Sequence, residues 1–179
     1  VILQHSSEVK LQTRQITFDL FKFEQREYHM CAIEVFHKYL KNKFNKSDIK
    51  LIEKLIITNS WWDSVDFIAK QILGSYLHQY KDNTNSIIDR FSNSENMWLN
   101  RSAIIFQLGY KERTNEALLF KQCLKHSGSD KFFIKKAIGW ALREYGKTNP
   151  QSVINFVNSN KLKPLSHREA IRNILKHEN

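Results

Sequence analysis

Lys135-Lys136-Ala137-Ile138 decides the fold, because the same arrangement, a basic residue two positions before Ala-Ile, stands at Arg101-Ser102-Ala103-Ile104 and at Arg168-Glu169-Ala170-Ile171. The separations are 34 and 33 residues. Met30-Cys31-Ala32-Ile33 fits without its basic residue, and a step of 35 back from Arg101 reaches Asp66, in a block whose similarity is weak. A period in the mid-thirties built from helix pairs is the signature of an all-α solenoid. Each pair buries one face on its neighbours, and the small Ala lets packed helices approach closely. Chance recurrence of Ala-Ile in helical sequence is the competing explanation. On the repeat reading, Asp66, Arg101 and Lys135 occupy equivalent positions and line one concave groove.

Apolar periodicity outward from these blocks predicts helices at about 15–23, 25–42, 47–57, 61–78, 83–92, 96–109, 114–126, 130–145, 150–159 and 166–177. Gly109, Gly128 and Gly146 suit helix ends, whereas Asn149-Pro150 and Ser166 suit helix starts. Five glycines and two prolines are few for an all-β chain of 179 residues, which needs frequent turns. No run is rich enough in Gly and Ser to be a domain linker.

Ser60-Trp61-Trp62-Asp63-Ser64-Val65-Asp66 stands apart from the repeats. Asn59 or Ser60 suits the cap of a helix, and Asp63, three residues after Ser60, suits the capping-box position. Asp66 lies four residues after Trp62, on the same side of the helix, where a carboxylate gains much less from the helix terminus. Asp66 is therefore the carboxylate without an obvious structural task.

The formal net charge of +10 points to a polyanionic partner, nucleic acid or an acidic membrane surface. Cys31 and Cys123, each within an apolar helical pattern, exclude a disulfide framework and a thiolate metal cluster and suit a reducing cytoplasm. The start Val1-Ile2-Leu3-Gln4-His5-Ser6 has neither the basic flank nor the apolar run of a signal peptide. No segment reaches the roughly 18 apolar residues of a membrane helix, so a soluble protein is expected. The histidines are scattered: His29 and His37 stand two turns apart without a third partner, and no metal is expected. There is no P-loop, no GxGxxG and no hydrolase elbow around a serine. The runs Lys38, Lys41, Lys43, Lys46 and Lys131, Lys135, Lys136 read as solvated faces, and Trp61 and Trp98 read as packing.

The chain resembles the AlkD-type DNA alkylation repair glycosylases, which are built of HEAT-like repeats. The matching residues are Trp61-Trp62-Asp63-Ser64-Val65-Asp66, Trp98-Leu99-Asn100-Arg101-Ser102-Ala103-Ile104, and Lys135 through Ala137-Ile138-Gly139-Trp140-Ala141-Leu142-Arg143-Glu144-Tyr145-Gly146 to Pro150. Order and spacing agree over most of the chain. The resemblance implies a single curved HEAT-like domain over residues 1–179 with a concave basic groove, without the helices that family members usually carry before this point. It places the catalytic aspartate on Asp66, the two site tryptophans on Trp62 and Trp140, and the site arginine on Arg101. It also implies that the lesion need not be flipped into a deep pocket.

The residue types suit that chemistry. A purine alkylated at N3 or N7 is cationic and already a good leaving group, so one carboxylate, Asp66, suffices to stabilise the oxocarbenium-like sugar and orient the attacking water. Trp62 and Trp140 would offer electron-rich faces to the cation, and Arg101 would hold a phosphate. Read alone, Asp66 fits an ion pair with Arg101 as well as catalysis, and each tryptophan fits the core. Lys135, Arg143 and Lys147 are candidate backbone contacts, with Thr148-Asn149 lending helix-start amides to a phosphate. The expected activity is excision of 3-methyladenine and 7-methylguanine from double-stranded DNA in base excision repair, by a cytoplasmic, nucleoid-associated monomer without cofactor or membrane contact. The alternatives are a DNA-binding solenoid that has lost catalysis and a protein-interaction scaffold.

Overall fold

A chain with so few glycines and so regular an apolar period can satisfy its backbone only within helices, and every regular element found is helical. The computed structural model describes residues 6–174, and among these there is no strand. They fall into two compact units, one ending at Thr84 and the other beginning at Asn85. The first holds α1 (Ser6–Leu11), α2 (Thr13–Leu20), α3 (Arg26–Leu40), α4 (Asp48–Ile57), α5 (Trp62–Phe67), a π-helical stretch Ile68–Leu73, and α6 (Gly74–Gln79). The second is built from α7 (Thr84–Ser92), α8 (Met97–Ile105), α9 (Glu116–Lys125), α10 (Phe132–Tyr145), α11 (Pro150–Ser159) and α12 (Pro164–Ile171).

The repeat is physical. Ala32, Ala103, Ala137 and Ala170 are all buried, as close helix packing requires. Side chains also bond across one period. In the first unit Arg14 pairs with Asp48, Arg26 with Asp63, and the Gln79 amide closes on both main-chain groups of Phe44. In the second unit Ser92 meets His126, Lys121 meets Asp89, Ser152 meets Glu116, and Lys163 meets Asp130. Between these rungs lie Ile33, Phe36, Ile52, Ile72 and Leu73 in one unit and Ile104, Ile138, Leu142 and Val153 in the other. Fully burying each such side chain contributes roughly 1.5–3 kcal/mol.

Most expected boundaries hold to within a few residues, and the departures have causes. Helix begins before residue 15, at α1 and α2, because the buried positions there are Thr13 and Thr17. Their hydroxyls bond to the Val9 and Thr13 carbonyls, so this buried face carries no apolar period. α8 stops at Ile105, and the chain turns through Gly109, whose φ of 88° only glycine adopts readily. The last helix starts at Pro164, where proline suits the first turn. Ser166 is not its start but a buried residue whose hydroxyl donates to the Lys135 carbonyl. Positions 175–177 of the expected last helix lie outside the described residues, as do Val1 to His5. No helix among the described residues is long and apolar enough to cross a membrane.

Candidate functional site

The stretch around the paired tryptophans folds differently from its capping pattern. Asn59 has a φ of 48° just after the end of α4, so it stops that helix, and its amide donates to the Phe21 carbonyl. Ser60 Oγ turns back to the Ile56 carbonyl at 2.6 Å. Trp61 is therefore the N-cap of α5, and no side chain caps it. Asp63 supplies what the cap lacks: its Oδ1 accepts the Ser64 N–H at 2.7 Å, and the same carboxylate receives Arg26. Trp61 is half-exposed beneath the Arg26 guanidinium, 5.1 Å from the ring centre, and so is not core packing.

Trp62 opens α5 and is 47% exposed. Asp66 sits one turn further along the same helix, half-buried. Val65, between them in the turn, is fully buried, so α5 is anchored by one face while Trp62 stays accessible. Beyond Phe67 the ladder widens to a π-helical stretch ending with the Gly74 N–H bonded to the Ala69 carbonyl, five residues back. Such stretches displace the side chains around them by a fraction of a turn and recur at functional sites.

The remaining candidates belong to the second unit. Arg101 is only 4% exposed, and its Nη1 donates to the Phe133 carbonyl at 2.6 Å, bracing α8 against the first turn of α10. Trp98 packs on the Phe133 ring, as expected of a packing residue. Trp140 is half-buried on α10. At its neighbour Gly139, α10 lies close against α12: a Cβ there would stand 2.4 Å from the Glu169 Cβ. Glu169 is gripped by Lys136 and Arg143, on either side of Gly139 along α10. Burial pushes the Glu169 carboxyl up, but the two cations outweigh it and hold it below the ordinary glutamate range.

The basic candidates separate accordingly. Lys38, Lys41, Lys43 and Lys46 are exposed, as a solvated face should be. Lys135 is half-buried, and Arg143 is committed to Glu169. Lys147 is exposed beside Glu144 at 2.6 Å. The amides expected to meet a phosphate do not point outward: Thr148 and Asn149 both donate their N–H to the Tyr145 carbonyl, closing the end of α10, while Asn149 Oδ1 caps α11 through the Ser152 N–H. Among the described residues no group of three or more His, Cys, Asp or Glu could hold a metal. His29 bonds to the Phe23 carbonyl at 2.7 Å and packs on Phe21.

Residues 2–174 match the family model of the DNA alkylation repair enzyme. The chain belongs to that family. A solved structure described as a predicted DNA alkylation repair enzyme from Enterococcus faecalis superposes with a TM-score of 0.85 at 31% identity, covering 96% of this chain and 83% of that one. No curated protein matched. Membership in the DNA alkylation repair family carries an enzymatic role in the repair of alkylated DNA, and DNA as the substrate. It accounts for the cationic surplus, since Lys and Arg neutralise phosphates.

Proposed function

We propose that this member of the family is a DNA N-glycosylase that excises cationic N3- and N7-alkylated purines, such as 3-methyladenine and 7-methylguanine, from double-stranded DNA in base excision repair. The observation that carries the reading is the pairing on one short helix of a half-exposed Trp62 with a carboxylate, Asp66, one turn away. The alkylated purine bears its positive charge before reaction. The glycosidic bond therefore breaks with the electron pair returning to the ring nitrogen, and the base leaves neutral without a protonating acid. Positive charge passes to the deoxyribose. Asp66 opposes that charge and orients a water whose oxygen bonds to C1′, the released proton passing to the carboxylate or to solvent. Trp62 offers its π face to the cation, a contact worth roughly 0.5–2 kcal/mol. The indole of Trp140, half-buried on α10, is a second candidate for a contact of this kind.

Arg101 is assigned a bracing task in preference to a phosphate contact, on the ground of its burial and its bond to the Phe133 carbonyl. Lys135 is the better phosphate candidate, because Arg143 already pairs with Glu169 and Lys147 with Glu144. The reading carries with it a monomer acting without cofactor in the cytoplasm, associated with the nucleoid. It is tested by incubating the protein with duplex DNA containing 7-methylguanine and measuring free base. Release of the base supports it. Tight, lesion-independent binding without release favours a DNA-binding protein that has lost catalysis.

A further inference from the structure

We infer that Arg26 is a positioning residue for the Trp62–Asp66 helix, acting through Asp63, an inference that rests on the catalytic reading of Asp66. The argument starts from the missing cap. The first amides of a helix have no intrahelical acceptor, and α5 begins at a tryptophan whose side chain cannot supply one. Asp63 takes over by accepting the Ser64 N–H on Oδ1. A carboxylate in that place is free to rotate unless something holds it. Arg26, one repeat earlier at the start of α3, does so: a single terminal nitrogen reaches Oδ1 at 2.7 Å and Oδ2 at 2.6 Å. The guanidinium is in turn laid over the Trp61 ring, the N-cap residue itself.

Arg26 thus touches the first turn on both sides of Trp62, at Trp61 and at Asp63, and Asp66 follows three residues after Asp63. The plainer reading is a solvated surface ion pair, which contributes little to stability. The two readings differ in what they constrain. An ordinary surface pair leaves the helix start unchanged when it is removed. A clamp fixes where Trp62 and Asp66 stand, and misplacement of reacting groups by an ångström costs far more in rate than in stability.

The test uses the full chain and the variants Arg26→Ala, Arg26→Lys and Asp63→Asn. Amide hydrogen exchange is followed in residues 62–67, with residues 132–145 as an internal reference, and base release from 7-methylguanine duplex is measured in single turnover at saturating protein. Arg26→Ala is expected to speed exchange in 62–67 but not in 132–145, and to slow base release on the order of tenfold. Arg26→Lys should recover part of both, and Arg26→Ala added to Asp63→Asn should cost little more than either alone. Unchanged exchange in 62–67 overturns the inference whatever the enzyme does. Faster exchange with undiminished base release overturns it as well. An additive effect confined to affinity would make Arg26 a direct DNA contact and refute the clamp. A wild-type protein that releases no base defeats the glycosylase reading, and the exchange comparison then judges the clamp separately.

Discussion

Arg101 donates to the Phe133 carbonyl from within the second unit, and with it a buried cation braces two helices one repeat apart. Truncating it removes a buried, charged donor to the Phe133 carbonyl and the packing of its side chain between the two helices. Arg101→Ala is therefore expected to destabilise the fold by about 1–3 kcal/mol in chemical denaturation. The salt dependence of DNA binding should stay the same. A slope reduced by roughly 0.9, the signature of one lost phosphate contact, would restore the phosphate role expected from the sequence.

Gly139→Ala should be more damaging than its size suggests. The added methyl meets the Glu169 Cβ at 2.4 Å and the Ser166 carbonyl at 3.0 Å, and both belong to the α12 turns that pack on α10. Separating the helices is expected to cost about 1–3 kcal/mol, read as a lower denaturation midpoint at unchanged slope. Unchanged stability would mean that α12 is free to shift.

Acid should loosen the same seam. Glu169 is held below its ordinary value by Lys136 and Arg143, so the folded state favours the ionised form more than the unfolded chain does. The contribution is complete above the ordinary glutamate range and is lost as pH falls through the lowered value. In Glu169→Gln, denaturation midpoints at neutral and acid pH should differ less than in wild type. An equal acid response in the two proteins would show that Glu169 adds nothing.

Charge on the base should decide the substrates. An ionised aspartate has no proton to give the leaving base of a neutral lesion, and in this reading the two tryptophans present their π faces and not their Nε1–H groups. Duplexes carrying 7-methylguanine or 3-methyladenine should release their bases, whereas otherwise identical duplexes with uracil or hypoxanthine should not. Comparable rates on charged and neutral lesions would mean that leaving-group activation comes from residues not assigned here.

Helix content and the repeat were legible because both are written locally, as an apolar period and as Ala-Ile at a fixed spacing. Ala103, Ala137 and Ala170 proved buried for the reason their spacing suggested. Caps were less legible, since a side chain with capping chemistry has other acceptors within reach. Ser60 has the right chemistry for a cap but bonds backwards to Ile56, which leaves the start to Trp61. The burial of Arg101 and the exposure of Trp61 were not legible for a related reason: a lone helical arginine or tryptophan carries no mark of which way it faces. Arg26 was missed although a signal existed. It precedes Asp63 by 37 residues, close to the repeat period, and opposite charges one period apart are candidates for a rung. The π-helical stretch after Asp66 has no local signature in Ile68 to Leu73, a run that reads as ordinary helix.

The central claim is that Asp66 carries the chemistry. Asp66→Asn keeps the shape of the side chain and removes the charge that opposes the developing cation. Base release from 7-methylguanine duplex, measured in single turnover at saturating protein, should fall by roughly 10²–10³, with affinity for the duplex within a few-fold of wild type. Near-normal release by the variant would contradict the account, leaving Asp66 as a structural residue of its helix.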